Sequence, residues 1–118
     1  MTSSQGTHWV VPKGNLEPDE PAWGCAQREA HEEAGLLGHV ERRPLGSYRY
    51  TKRGTRLRVD VFGLHVTEQL SRWAEGRLRR RKWVELEAAI ERVREPGLKL
   101  LLARVSDRLH RSRRRQTA

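Results

Sequence analysis

The sequence predicts one α+β domain, and three observations predict it. A well-punctuated helical stretch falls near residues 21–34, two strand-patterned stretches follow around a cationic turn, and two stretches with helical apolar spacing close the chain. The 118 residues have room for one core and little more. Residues 1–110 are therefore read as one domain and residues 111–118, RSRRRQTA, as a basic disordered tail.

Each element has a local reason. Residues 8–11 are apolar and are stopped by Pro12 and Gly14, which reads as a strand running into a loop. In the first helix Asp19 or Glu20 is the expected cap, Pro21 suits the first turn, and Gly35 stands where a left-handed residue ends a helix. At 100° per residue, Trp23, Ala26, Ala30 and Ala34 gather on a packing side, and Glu29, Glu32 and Glu33 on another. Residues 45–50 and 57–67 read as the arms of a hairpin whose tip is TKRGTR. A short strand is expected at 82–84. Leu86, Ala89, Ile90 and Val93 then keep helical spacing until Pro96, and Leu98, Leu101, Val105 and Leu109 mark a last helix.

Composition narrows the function. With 36% hydrophobic and 33% charged residues the core must be small, drawn from Leu, Val, Ala and Trp. No apolar run approaches a membrane span, and MTSSQGTH lacks the features of a signal peptide, so a cytoplasmic protein is expected. The single cysteine, Cys25, excludes an internal disulfide, agrees with a reducing compartment and gives no thiolate metal site. It is read as a small packed side chain. The net charge of +9 is uneven: residues 1–34 sum to −4 and the remainder to +13. An acidic patch inside a basic protein suits a metal site that handles an anionic substrate.

Residues 14–36 read GNLEPDEPAWGCAQREAHEEAGL. Spacings of three and four place Glu29, Glu32 and Glu33 on one helical face, where three carboxylates repel one another unless a cation intervenes. Arg28, four residues before Glu32, can hold one of them. An ordinary solvated acidic face is the bland alternative. Gly14, five residues, Glu20, seven residues, and then the run from Arg28 to Leu36 fill every defined position of the Nudix box, so the chain resembles the Nudix hydrolase superfamily. The resemblance implies an α/β/α sandwich with a mixed sheet between helices. It also implies Mg2+, with Mn2+ as a substitute. Glu29 and Glu33 would be chief ligands, Glu32 a ligand or support, the carbonyl near Gly14 a further donor, and Glu20 the support of that loop. The implied reaction is water attack on phosphorus in a pyrophosphate linkage. Glu29 is the expected general base, ahead of the distal Glu85 and Glu87.

WVVPKGNLEPDE, FGLHVTE and RRRKWVELEAAI further resemble the diphosphoinositol polyphosphate and diadenosine polyphosphate hydrolase branch, which implies a polyphosphorylated small-molecule substrate. Lys13, Arg49, Lys52, Arg53, Arg56 and Arg58 are the candidate phosphate-binding cations, with a merely solvated basic turn as the alternative. For Arg77 and the run from Arg79 to Lys82, solvation and phosphate binding both stand open. Trp9, Trp23, Trp73 and Trp83 are read as core or sheet-flanking residues, and the five histidines show no ligand spacing. Members of the family carry one or two strands ahead of the segment matching HWVVPKG, whereas eight residues precede Trp9. The resemblance therefore implies a sheet lacking its first strand or strands, with an open edge that would favour a homodimer. A different class of function is a basic domain that associates weakly and nonspecifically with RNA and turns over little; an RNA 5'-pyrophosphohydrolase is a related alternative.

Overall fold

The computed structural model describes residues 1–2, 11–12 and 18–117, with side chains through Ser112. Most of the strand expected at 8–11, including Trp9, and both Lys13 and Gly14 lie outside the described residues.

Helix α1 (Ala22–Ala34) follows Pro21, whose extended backbone starts the helix with no side-chain cap. The capping role expected of Asp19 or Glu20 is not filled: Asp19 adopts a left-handed φ of 62°, and the Glu20 carboxylate turns to Arg28. The helix ends as expected, with Gly35 at φ 65° and its N–H returned to the carbonyls of Ala30 and His31. Its buried residues are Cys25, Glu29, Ala30, Glu33 and Ala34, whereas Trp23 and Ala26 are half-buried. The expected division into a packed side and a chemical side is thus corrected, because two carboxylates share the packed side.

Four strands follow: β1 (Leu36–Val40), β2 (Gly46–Lys52), β3 (Thr55–Val61) and β4 (Leu64–Gln69). β1 pairs antiparallel with β4, and β2 with β3. Between the two ladders, Glu41 N–H donates to the Gly63 carbonyl at 2.8 Å and Leu45 N–H to the Val61 carbonyl at 2.6 Å. The whole is one long antiparallel hairpin, bent where residues 41–45 on one arm face residues 62–63 on the other. The single strand expected at 57–67 is therefore split at Phe62 and Gly63. β1 escaped sequence reading because Gly38 interrupts LLGHV, and the register shifts between Leu37 and Gly38. At the tip, Arg53 and Gly54 have φ of 50° and 79°, the paired left-handed conformation of a two-residue turn whose twist matches the strands.

Helices α2 (Leu86–Arg92) and α3 (Pro96–Thr117) complete the fold. Tyr48 of β2, Val93, Leu98 and Leu101 form the buried cluster, flanked by Val59, Val61 and Val105. Gly97 admits this contact, since a Cβ there would lie 2.7 Å from Tyr48 Cβ. Residues 82–84 form no strand; Trp83 and the preceding Arg81 are anchored through side-chain bonds instead. The backbone of 111–117 continues α3, where the sequence predicts an unstructured tail. Among the described residues no helix is long and apolar enough to cross a membrane.

Candidate active site on the acidic helix

Arg28 organises the carboxylates of α1. Its Nε and Nη2 donate to the two oxygens of Glu20 at 2.9 and 3.0 Å, and its Nη1 lies 2.7 Å from Glu29 Oε1 and 3.3 Å from Glu32 Oε2. The i, i+4 pairing with Glu32 read from the sequence is present, and it is one of three. The fork of a guanidinium explains why arginine fits here, because a lysine cannot grip one carboxylate with two parallel bonds and reach two others. Glu20, expected to support the loop at Gly14, is seen anchoring Arg28.

Glu29 and Glu33, one helical turn apart, are 7% and 5% exposed, while Glu32 keeps 46% of its side chain in solvent. Burial pushes the Glu29 carboxyl above the usual range, Arg28 draws it down, and Glu32 raises it again. Glu33 meets a second guanidinium: its Oε1 lies 3.3 Å from Arg79 Nη2. Arg79 is fixed in turn by Glu75 at 2.9 Å and by the Thr2 carbonyl at 3.3 Å. Arg79 is thus committed to a carboxylate, which corrects its placement among residues either solvated or available to phosphate. Nothing in the sequence ties it to Glu33 across that separation; the only hint is the i, i+4 spacing of Glu75 and Arg79.

The donor chemistry of α1 fits a hard divalent cation. Its carboxylate oxygens are the ligand type such a cation takes, and two of the three are buried, so ionisation demands a nearby positive charge. Among the described residues no three acidic, histidine or cysteine side chains already converge on one point, since Glu29 leans toward Arg28 and Glu33 toward Arg79.

A cleft of about 540 Å³ opens between α1 and β3. Glu29 lines it with Cys25, Ala26, Leu57 and Val59, and Lys52 and Trp83 also border it. The candidate phosphate-binding residues of the hairpin are not all together. Arg49 stands directly opposite Arg58, and Arg56 opposite Thr51, so Arg49, Arg56 and Arg58 share one exposed face. Lys52 alternates to the other face and Arg53 occupies the turn. Arg58 is engaged by Asp60 at 3.1 Å, whereas among the described residues no carboxylate lies within ion-pair distance of Arg49 or Arg56. Of the distal acids, Glu87 meets Ser106 and His110 of α3, and Glu85 precedes α2 in solvent. Neither is drawn to the carboxylates of α1.

A bent antiparallel hairpin packed on a helix that carries Arg-bound, buried glutamates defines a Nudix-type α+β protein. The NUDIX domain model matches residues 2–105, and the chain belongs to that family. It is 35% identical over 107 residues to Nudix hydrolase 16, mitochondrial, of Arabidopsis thaliana, covering 84% of this chain and 59% of that one. Diphosphoinositol polyphosphate phosphohydrolase 3-alpha of Mus musculus is 40% identical over 85 residues, 70% of this chain and 51% of its own length. A crystal structure of a C. elegans Ap4A hydrolase in binary complex superposes with a TM-score of 0.63 at 27% identity, covering 87% of this chain and 77% of that one. The chain spans roughly half to two thirds of the length of the first curated relatives it matches.

Proposed function

We propose that this chain hydrolyses a pyrophosphate linkage in a polyphosphorylated small molecule, with diadenosine polyphosphates and diphosphoinositol polyphosphates as the candidate substrates. The observation that carries the reading is the pair of buried glutamates, Glu29 and Glu33, one turn apart on α1. Arg28 and Arg79 each meet one of them, and Glu32 adds a third carboxylate from the same helix, so α1 offers the oxygen donors that a hard cation takes. The names of the mouse relative and of the C. elegans structure support the substrate class.

Glu29, Glu32 and Glu33 would hold a divalent cation, Mg2+ or Mn2+, which when bound neutralises phosphate oxygens and the leaving group. Arg28 holds the carboxylates in register. Glu29, whose buried carboxyl binds a proton more readily than an exposed one, takes the proton from the attacking water. Lys52, the hairpin cation that borders the cleft lined by Glu29, holds the phosphates that are not cleaved.

The test is turnover with Mg2+ on a panel of diadenosine polyphosphates, diphosphoinositol polyphosphates, nucleotide sugars and ADP-ribose. The first two classes are expected to show the higher kcat/KM, and EDTA to abolish the reaction. Glu29→Gln should lower kcat by about 10²- to 10⁴-fold, the span of a positioned general base. Full activity in EDTA, or binding of the panel without hydrolysis, would refute the proposal.

A further inference from the structure

The end of α1 is held by a segment distant in sequence. The last four carbonyls of a helix have no partner within it, and at this end residues 70–81 provide partners. Glu75 N–H donates to the Glu32 carbonyl at 3.1 Å, and Trp73 Nε1 to the Glu33 carbonyl at 2.8 Å. Arg81 Nη1 donates to the Ala34 and Gly35 carbonyls at 2.7 and 3.2 Å, and Leu70 N–H to the Gly35 carbonyl at 2.8 Å. Arg81 Nη2 donates to the Leu70 carbonyl, and its guanidinium stacks on the Trp73 ring, 4.3 Å from the centroid. A cation at a helix C-terminus also complements the helix dipole.

The clasp grips the turn that carries Glu32 and Glu33. It also explains Gly35 beyond its left-handed φ: a Cβ there would sit 2.8 Å from both Arg81 Nη1 and Trp73 Cδ2. The same segment delivers Arg79 to the Glu33 carboxylate. One stretch of chain therefore sets both the backbone under Glu33 and the partner of its side chain.

We infer that Trp73 and Arg81 are positioning residues, which hold the last turn of α1 and so fix where the Glu32 and Glu33 carboxylates stand in the proposed cation site. The inference rests on the metal site proposed above and deepens it, since both residues bond to backbone carbonyls at the end of α1 and not to its carboxylates. Removing an outer partner of a metal ligand costs about 10- to 100-fold in affinity, and a lost backbone anchor acts through the same route.

The experiment is Mn2+ binding to the full chain, followed by the loss of free-ion signal in electron paramagnetic resonance, with thermal unfolding measured in parallel. Trp73→Phe removes one N–H and keeps the ring beneath Arg81. It should raise the Mn2+ Kd roughly tenfold. Arg81→Lys keeps the charge but cannot bridge the carbonyls, and should weaken Mn2+ to a similar degree. Val105→Ala in α3 lowers stability away from α1 and should leave the Kd unchanged. Wild-type affinity in Trp73→Phe and Arg81→Lys would overturn the inference while leaving the metal site intact. So would an equal loss in Val105→Ala, because the effect would then follow stability alone. Failure of the wild-type chain to bind Mn2+ would overturn the metal site and this inference together.

Discussion

Tyr48 shows at the scale of one residue how packing can override polarity. It is 4% exposed in the main cluster, and among the described residues its hydroxyl has no hydrogen-bond partner. An unsatisfied buried hydroxyl costs about 1–3 kcal/mol, so Tyr48→Phe should leave stability unchanged or raise it by about 1 kcal/mol in urea unfolding. Burial, and then the charge of Glu95, pushes the phenol up to about 12 from its ordinary 10.0. A group whose folded pKa is raised contributes stability that is intact below the unfolded pKa and is lost as pH rises through the folded one. Unfolding titrations should therefore show stability falling from pH 10 toward pH 12, and the Tyr48→Phe variant should lack that part of the decline. Burial pushes the Glu29 carboxyl up as well, so its charged form is penalised in the folded chain. Glu29→Gln should match or exceed the wild-type melting temperature while turnover collapses.

At the scale of elements, the end of α1 and the hairpin make separate demands. Gly35→Ala forces a side chain into a left-handed backbone and into the Trp73 and Arg81 side chains. The backbone penalty alone is about 1–2 kcal/mol, so chemical denaturation should show at least that loss. On the hairpin, Arg49 and Arg56 share a face with Arg58, which already meets Asp60. Lys52, on the other face, borders the cleft, and Lys52→Ala should depress kcat/KM on the longest polyphosphates most, since a charge-assisted contact is worth roughly 1.5–3 kcal/mol. The comparison belongs at fixed ionic strength, because exposed charges are screened within about 10 Å at 0.1 M salt. An equal loss on every substrate would remove the hairpin from specificity.

The whole molecule couples an acidic helix to a basic remainder, and the coupling should appear in stability. A cation that binds only the folded state stabilises it by about 2.7 kcal/mol at a hundred times its Kd. Differential scanning calorimetry with Mg2+ or Mn2+ should show a concentration-dependent rise in melting temperature that EDTA reverses. No shift with either ion at millimolar concentration would count against the carboxylate site. The gain should be smaller in Glu33→Gln, which removes one buried oxygen donor.

The sequence by itself determined what depends on local spacing and chemistry. The acidic helix, its end at Gly35, the reach of Arg28 to Glu32, and the two closing helices all follow from i, i+4 geometry and from residues with fixed backbone preferences. Its reach stopped where long-range contacts took over. β1 lacked clear alternation around Gly38, and the break at Phe62 and Gly63 interrupts an apolar run that alternation alone would continue. Only tertiary structure decided that Glu29 and Glu33 lie on the packed side of α1, because a helical wheel gives angles and not neighbours. Only tertiary structure set Arg79 beside Glu33 and stacked Arg81 on Trp73, since their separation in sequence leaves no periodic signal. Side chains that bond across such distances depend on where the intervening hairpin places its ends, a property of the folded chain as a whole.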